Sequence, residues 1–346
     1  MIKYTIKRLI LAFITTFIIL SLTFILMKLL PFSKPIGTTG QVFAYYNNQV
    51  FLGYVVDMEE ETPSLGTLLW YYKDSSTKVA HYFYQTPIMT QYFRWLGNIV
   101  TRWDWGVSTS VLLNAGAIYI IGQRIPVSMF LNILSVIVSV PLGIFLGIVA
   151  ALKKNKPTDN IISTAVMIFI AVPGFVLITF AILILCYRLQ WLPTQWAKPT
   201  DPLKNKALAL IIPVIVLSFG SICGYCRSVR AELCEVMESE YLLLARTKGL
   251  TKKQSIIRHA LRNAMVPIVP SILGEFVGIL GGSMILESLY GIPGIGSLFI
   301  EALNGKDYNV LFVDMALFTT ISLVAGVFLD LSYGLIDPRI RMGARK

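Results

Sequence analysis

The chain has 346 residues, of which 55% are hydrophobic and 14% charged, with a mean hydropathy of +0.68. Soluble domains carry about a quarter charged residues, so a soluble globular protein is excluded; so is a disordered chain, which needs low hydrophobicity and high charge. The net charge of +11 would suit nucleic acid or anionic lipid, but the lysines and arginines sit beside apolar blocks, where a membrane topology accounts for them and no nucleic acid is implied.

A bilayer core of about 30 Å needs roughly 20 helical residues at about 1.5 Å each. Spans are predicted near 9–30, 128–152, 161–187, 207–226, 266–287 and 311–336, six helices in all. Lys3, Lys7 and Arg8 precede the first as they would a signal peptide. The apolar run from Leu9 to Met27 is too long for one, however, and no small-x-small cleavage site follows it, so the helix is expected to be retained. Lys3, Lys7 and Arg8, then Lys153, Lys154 and Lys156, then a cluster of eight cations within 227–265 fall on one side of the spans. Lys306 alone lies between spans five and six, so the positive-inside rule puts both termini in the cytoplasm.

The segment 32–127 is then external and too long for a connector, so it is expected to fold on the membrane surface or on a partner. It has no cysteine. Ile88 to Trp105 reads as an interfacial helix, with Tyr92, Phe93, Trp95, Trp103 and Trp105 placed among Arg94 and Arg102. It fits a helix packed on the bundle as well as it fits a docking surface. The run Glu59-Glu60-Glu61 reads as a solvated loop face, or else as part of that surface.

Pro141, Pro173 and Pro213 interrupt spans two, three and four, as in a bundle that rearranges or one with fixed kinks. Cys223-Gly-Tyr-Cys226 has redox-pair spacing, but that chemistry needs a βαβ context and an accessible thiolate. Two cysteines one turn apart in an apolar span read as packing. Only Cys234, His259 and distant His81 could complete a zinc site, so no metal is expected.

The cytoplasmic segment 227–265 is rich in charged, helix-prone residues. Glu232, Glu235 and Glu238 continue the fourth helix with carboxylates on one side. Glu240 to Lys248 forms a helix stopped by Gly249, and Thr251 with Gln254 caps a second helix over Lys252 to Asn263. Ile256, Ile257, Ala260 and Leu261 give that helix an apolar strip beside Arg258, His259 and Arg262. The positive-inside rule explains the charge of this finger but not its caps and strips. Helices this short need something to pack on, which points to a partner protein.

In span five, Glu275 follows Ser271 by four residues and could face a water-filled pathway or pair with a neighbouring subunit. Gly278 and Gly281-Gly282 would permit close helix approach. Gly291 to Gly296 is glycine-rich but no Gly-Lys-Ser/Thr follows, so it is not a phosphate-binding loop. Any ATPase must therefore be a separate subunit. No catalytic constellation stands out. Asp314 and Asp330 are expected near opposite ends of span six, where hydration is cheap.

Together these residues resemble a family over nearly the whole chain. Glu240-Tyr241 … Ala245-Arg246-Thr247-Lys248-Gly249-Leu250 … Ile257-Arg258-His259-Ala260-Leu261-Arg262-Asn263-Ala264 … Pro267 is similar to the EAA loop of permease subunits of binding-protein-dependent ABC importers, in the variant of the dipeptide, oligopeptide and nickel group. Asp104-Trp105-Gly106 … Ser108, Gly291-Ile292-Pro293-Gly294-Ile295-Gly296 and Asp330 … Leu335-Ile336-Asp337-Pro338-Arg339-Ile340-Arg341 resemble three further motifs of that group. Against the general pattern, Leu243 and Leu244 replace Glu-Ala, His259 replaces Ile and Arg262 replaces Pro, changes that resemble the peptide group. The long external segment resembles the oligopeptide permeases of low-GC Gram-positive bacteria.

The resemblance implies an all-α membrane protein of six helices with the type I importer (MetI-like) core. Residues 1–31 would form the first helix, 32–127 the external segment, and 128–346 a five-helix core carrying the coupling loop 227–265. It implies a subunit of the bacterial plasma membrane that is no enzyme and holds no cofactor of its own. Its partners would be a second homologous permease, two cytoplasmic ATPases using ATP and Mg2+, an extracellular peptide-binding lipoprotein, peptide substrate and membrane lipid. Glu240, Tyr241, Leu244, Ala245 and Gly249 would build the first coupling helix and its stop. Arg258, His259 and Asn263 would hold the second helix against the core, and Asp330 would be an anchor near the cytoplasmic mouth. Alternatives are a dipeptide or nickel permease, an ion-coupled carrier, which should show an inverted repeat not evident here, or a passive scaffold.

Overall fold

A computed structural model describes residues 2–30, 35–74, 78–278 and 283–336. Gly281-Gly282 and the C-terminal run Asp337-Pro338-Arg339-Ile340-Arg341 lie outside the described residues, as does the side chain of Asp330. The chain gathers into two compact units, one from Lys7–Pro126 with Leu298–Thr320, the other from Val127–Ser297 with the C-terminal helix from Ile321.

In the first unit, α1 (Ile2–Leu29) carries no charge from Leu9 to Met27. Only 6% of its most apolar window is buried within the protein. An apolar helix that leaves its surface uncovered by protein belongs in lipid. After α2 (Thr39–Phe51) come three short strands, β1 (Val55–Met58), β2 (Leu68–Lys73) and β3 (Ala80–Gln85), paired antiparallel in the order β1-β3-β2. This sheet corrects the all-α expectation. Its cause is a period-two aromatic pattern: Trp70 and Tyr72 of β2 stack at 5.4 Å, and Tyr46 of α2 stacks on Trp70 at 5.2 Å and on Phe83 of β3 at 5.0 Å. His81 Nδ1 lies 2.7 Å from Asp57 Oδ2 on the neighbouring strand. Glu59, Glu60 and Glu61 are exposed just past β1.

The expected amphipathic helix is α3 (Ile88–Arg102). One face packs on α1, where Trp95 stacks on Phe24 at 4.7 Å and Tyr92 Oη lies 2.9 Å from Ser21 Oγ. The other face leaves Met89, Phe93 and Val100 exposed, as is Trp103 just beyond it. Packing on the bundle thus holds for one half of the segment, and the other half is uncovered.

The second unit is built on α4 (Ala117–Leu152), which starts eleven residues before the expected span, and α7 (Leu203–Met237), which contains Pro213 yet stays continuous. A Cβ on Gly143 would sit 2.6 Å from Tyr225 Cβ, and one on Gly147 2.7 Å from Val229 Cβ. Carbonyl oxygens of Ile222 and Cys226 lie under 3 Å from the same two positions, so α4 and α7 meet backbone to backbone. This is the small-xxx-small contact of membrane helices, and the sequence reading missed it in favour of glycines further on. Cys223 and Cys226 are buried with Val166, the packing role expected of them.

Between α4 and α7 the expected third span is two helices, α5 (Pro157–Ala171) and α6 (Gly174–Ala181). The second continues as a π-helical turn over Ile182–Arg188, and the pair bends by 99° at the break. Pro173 is the cause, since it removes an N–H and pushes Val172 to an extended conformation. Among the described residues four helices are long and apolar enough to cross a membrane, or five with the bent pair as one span. The expected fifth span falls across 279–282, outside the described residues. Asp314 is fully buried in the last long helix rather than placed where water reaches it.

Candidate functional site

At its C-terminal end α7 passes into α8 (Glu240–Thr247), with Leu242 and Ala245 buried and Glu240, Tyr241 and Leu244 exposed. Gly249 then takes φ +93, a left-handed conformation with open space around it, so the stop depends on backbone freedom and not on crowding. Thr251 caps the next turn: Gln254 N donates to Thr251 Oγ1 at 3.3 Å, and Thr251 N donates to Gln254 Oε1 at 3.0 Å. The helix proceeds as α9 (Lys252–Ser255), a π-helical turn (Ile256–Ala260) and α10 (Leu261–Ala264). The finger read from the sequence is therefore present with its stop and its cap.

Its attachment differs from expectation. Leu242 of α8, with Ala260 and Ala264 from the second helical segment, packs on Ala151 of α4 and on Leu233 and Cys234 of α7. Small alanines let the segment lie close, and Ile256 is buried beside them. Arg258, His259 and Asn263, expected to hold this segment to the core, are exposed instead. Polar side chains without buried partners are cheaper in water. Tyr241, Leu243, Leu244 and Ile257 are all more than 40% exposed, so the finger presents an apolar surface rimmed by cations.

Two ion pairs brace its base, and neither was visible in the sequence. Arg230 of α7 donates from Nε to Asp159 Oδ1 at 2.6 Å and from NH2 to Oδ2 at 2.8 Å. Asp159, at the start of α5 and 1% exposed, also accepts from Asn155 N and Ser163 Oγ. Lys154 pairs with Glu238 just past the end of α7, and that hydrogen bond raises the Lys154 ammonium above the usual lysine range.

Further along α7, Ser221, Tyr225, Ser228 and Glu232 share one face. With Ser271 and Glu275 of α11 (Ile268–Gly278) they border a polar cleft of about 420 Å3. Tyr225 Oη donates to Glu275, and Ser139 Oγ donates to the other carboxylate oxygen at 3.4 Å. Glu275, expected to line a pathway, borders this cleft and is held by two hydroxyls of its own chain.

The remaining motifs are structural turns. In the stretch before α13 (Ile295–Asn304), Glu287 of α12 (Met284–Tyr290) accepts from Ser128 Oγ at 2.8 Å and Ser297 N at 3.1 Å. A Cβ on Gly294 would fall 2.3 Å from that carboxylate, so only glycine fits. In the first unit Asp307, just before α14 (Tyr308–Ile336), gathers the N–H groups of Thr109, Ser110 and Val111 within 3.1 Å on one oxygen, together with the Ser108 hydroxyl. Asp104 Oδ1 accepts from Gly106 N at 2.8 Å, and Gly106 has φ +94.

Residues 143–342 match the binding-protein-dependent transport system inner membrane component family. The chain belongs to that family. Curated relatives match over almost the full length. The dipeptide transport system permease protein DppB of Lactococcus lactis is 32% identical over 99% of this chain and 100% of its own. The oligopeptide transport system permease proteins OppB of Haemophilus influenzae and Escherichia coli are each 30% identical over the same shares. A chain of the inward-facing MetNI methionine ABC transporter superposes with a TM-score of 0.51, at 15% identity, over 64% of this permease and 97% of its own length. The permease thus has the MetI-like fold and is a multi-pass membrane component, not a catalytic subunit.

Proposed function

We propose that this permease is the transmembrane subunit of an ATP-driven peptide importer of the bacterial plasma membrane, forming half of the translocation pathway. The finger carries the reading: two capped helical segments seated on α4 and α7, with Tyr241, Leu243, Leu244 and Ile257 left exposed for a partner. That partner is a cytoplasmic ATPase, one of two, each using ATP and Mg2+. A second homologous permease completes the pathway, and an extracellular peptide-binding lipoprotein delivers cargo. In this reading the apolar stretches give six spans, and the distribution of lysine and arginine supports cytoplasmic termini. Transport is by alternating access, the finger passing nucleotide-driven motion to α7 and α4 while the cleft at Glu275 opens to either side.

Peptide cargo is supported by the names of the relatives. Oligopeptide is the first reading and dipeptide the second, because relatives of both kinds match at about 30% identity. The deciding experiment is affinity purification of the tagged chain from mild detergent with mass spectrometry of what stays bound. A second permease and P-loop ATPases in stoichiometric amounts are expected. A chain that emerges alone, or only with itself, would remove the motor and leave an ion-coupled carrier or scaffold.

A further inference from the structure

The helix α3 carries an apolar face that the transport reading does not use. Met89, Phe93 and Val100, with Trp103 just past the helix end, are 55%, 63%, 78% and 68% exposed. At about 100° per residue these four positions form one stripe along the helix. Gln91, Arg94 and Asn98 fall on the opposite side, and all three donate to backbone carbonyls of the neighbouring layer. Gln91 Nε2 reaches Thr86 O at 2.7 Å, Asn98 Nδ2 reaches Leu52 O at 3.4 Å, and the Arg94 guanidinium reaches Gly53 O. These acceptors lie where α2 joins β1 and where β3 joins α3. The helix therefore has the layer of α2 and the sheet on its back and the apolar stripe on its front.

The depth of α3 comes from what its third side touches. Trp95 stacks on Phe24 of α1 at 4.7 Å and meets Phe312 of α14 edge-on at 5.2 Å. Phe24 lies five residues before the end of the candidate span Thr5–Leu29, and Phe312 lies four residues after the start of the candidate span Tyr308–Leu329. At about 1.5 Å per residue, each is roughly 6–8 Å inside its own span. Two independent helices thus hold α3 at the same level, which is that of an amphipathic helix lying in the boundary between head groups and acyl chains. The occupant of the stripe follows from continuity: α1, on which α3 packs, has only 6% of its most apolar window buried and meets lipid along its length. Charge agrees, since Arg94 and Arg102 are exposed and α3 contains no carboxylate to oppose anionic head groups.

We propose that α3 is a membrane-surface helix, its stripe of Met89, Phe93, Val100 and Trp103 seated in the lipid of the outer leaflet while its back carries the layer of α2 and the sheet. The choice of leaflet rests on the orientation proposed above; the contact with lipid does not. The test uses the intact importer complex in vesicles of phosphatidylcholine and phosphatidylglycerol, with bromine on the acyl chains either near the head group or near the chain end. Tryptophan emission is read in the wild type and in Trp103→Phe, and the difference is the share of Trp103. That share is expected to lose most of its intensity when bromine is near the head group, and less when it is near the chain end. Phe93→Trp adds an emitter further along the stripe whose added emission should be quenched in the same order, and it carries the test if Trp103→Phe does not assemble. Unquenched emission at either position would mean that water or a partner subunit covers the stripe, and would overturn the proposal. Stronger quenching from the chain end would overturn it too, because the stripe would then face the middle of the bilayer.

Discussion

Glu275 and Asp159 are both carboxylates among apolar helices, yet they do different work. Glu275 borders the cleft and receives a hydroxyl donor on each oxygen. Glu275→Gln preserves size and one acceptor oxygen but replaces the other with an amide donor; uptake of peptides with a free amino terminus should fall several-fold while assembly is unchanged. Unaltered rate and selectivity in vesicles would show that the carboxylate does not meet cargo. Asp159 is saturated by Arg230, Asn155 and Ser163 and has no capacity left for a ligand. Arg230→Met strands the Asp159 charge and should cost about 3 kcal/mol, the low end for a buried pair because Arg230 keeps a third of its side chain exposed. The unfolding temperature of the complex checks this, and adding Asp159→Asn should recover most of the loss. At this scale the sequence was legible wherever the signal is local. The Thr251–Gln254 box and the stop at Gly249 span a few residues and were readable. The Arg230–Asp159 pair and the gathering of residues 108–111 around Asp307 join distant parts of the chain, and no spacing rule reaches them.

Among the elements, the finger shows how a short amphipathic segment is divided between attachment and presentation. Ala260 and Ala264 seat it while Ile257 and Leu244 point away, so the apolar strip read from the sequence is split between two jobs. Gly249→Asp is expected to leave the protein in the membrane, because nothing crowds that position. The left-handed turn would be strained by roughly 1–2 kcal/mol, enough to displace α9 from α8. Peptide uptake should drop at least tenfold while ATP hydrolysis by the complex loses its response to peptide. Full uptake in intact cells would show that the turn does not transmit. The sheet of the first unit was not legible because its strands are only four to six residues long, too short to show a period. The aromatics of α3 were read correctly because a fifteen-residue helix shows its period.

For the whole molecule, composition gave the membrane class and the charge distribution gave an orientation. The break of the third span at Pro173 was flagged only as an interruption, since proline position alone does not distinguish a kink from a 99° bend. If both termini are cytoplasmic, protease added to intact cells should cut near the exposed Glu59-Glu60-Glu61 run and spare tags at either end. Cleavage of a terminal tag in sealed cells would reverse the assignment. The contact of α4 with α7 carries a mechanical consequence. Backbones approach at Gly143 and Gly147, opposite Tyr225 and Val229, and further from the finger Ser218 Oγ of α7 donates to the Ser135 carbonyl of α4 at 3.1 Å. Held at two levels, the pair cannot hinge about one point, so travel given to the finger moves α4 and α7 together as a single rod.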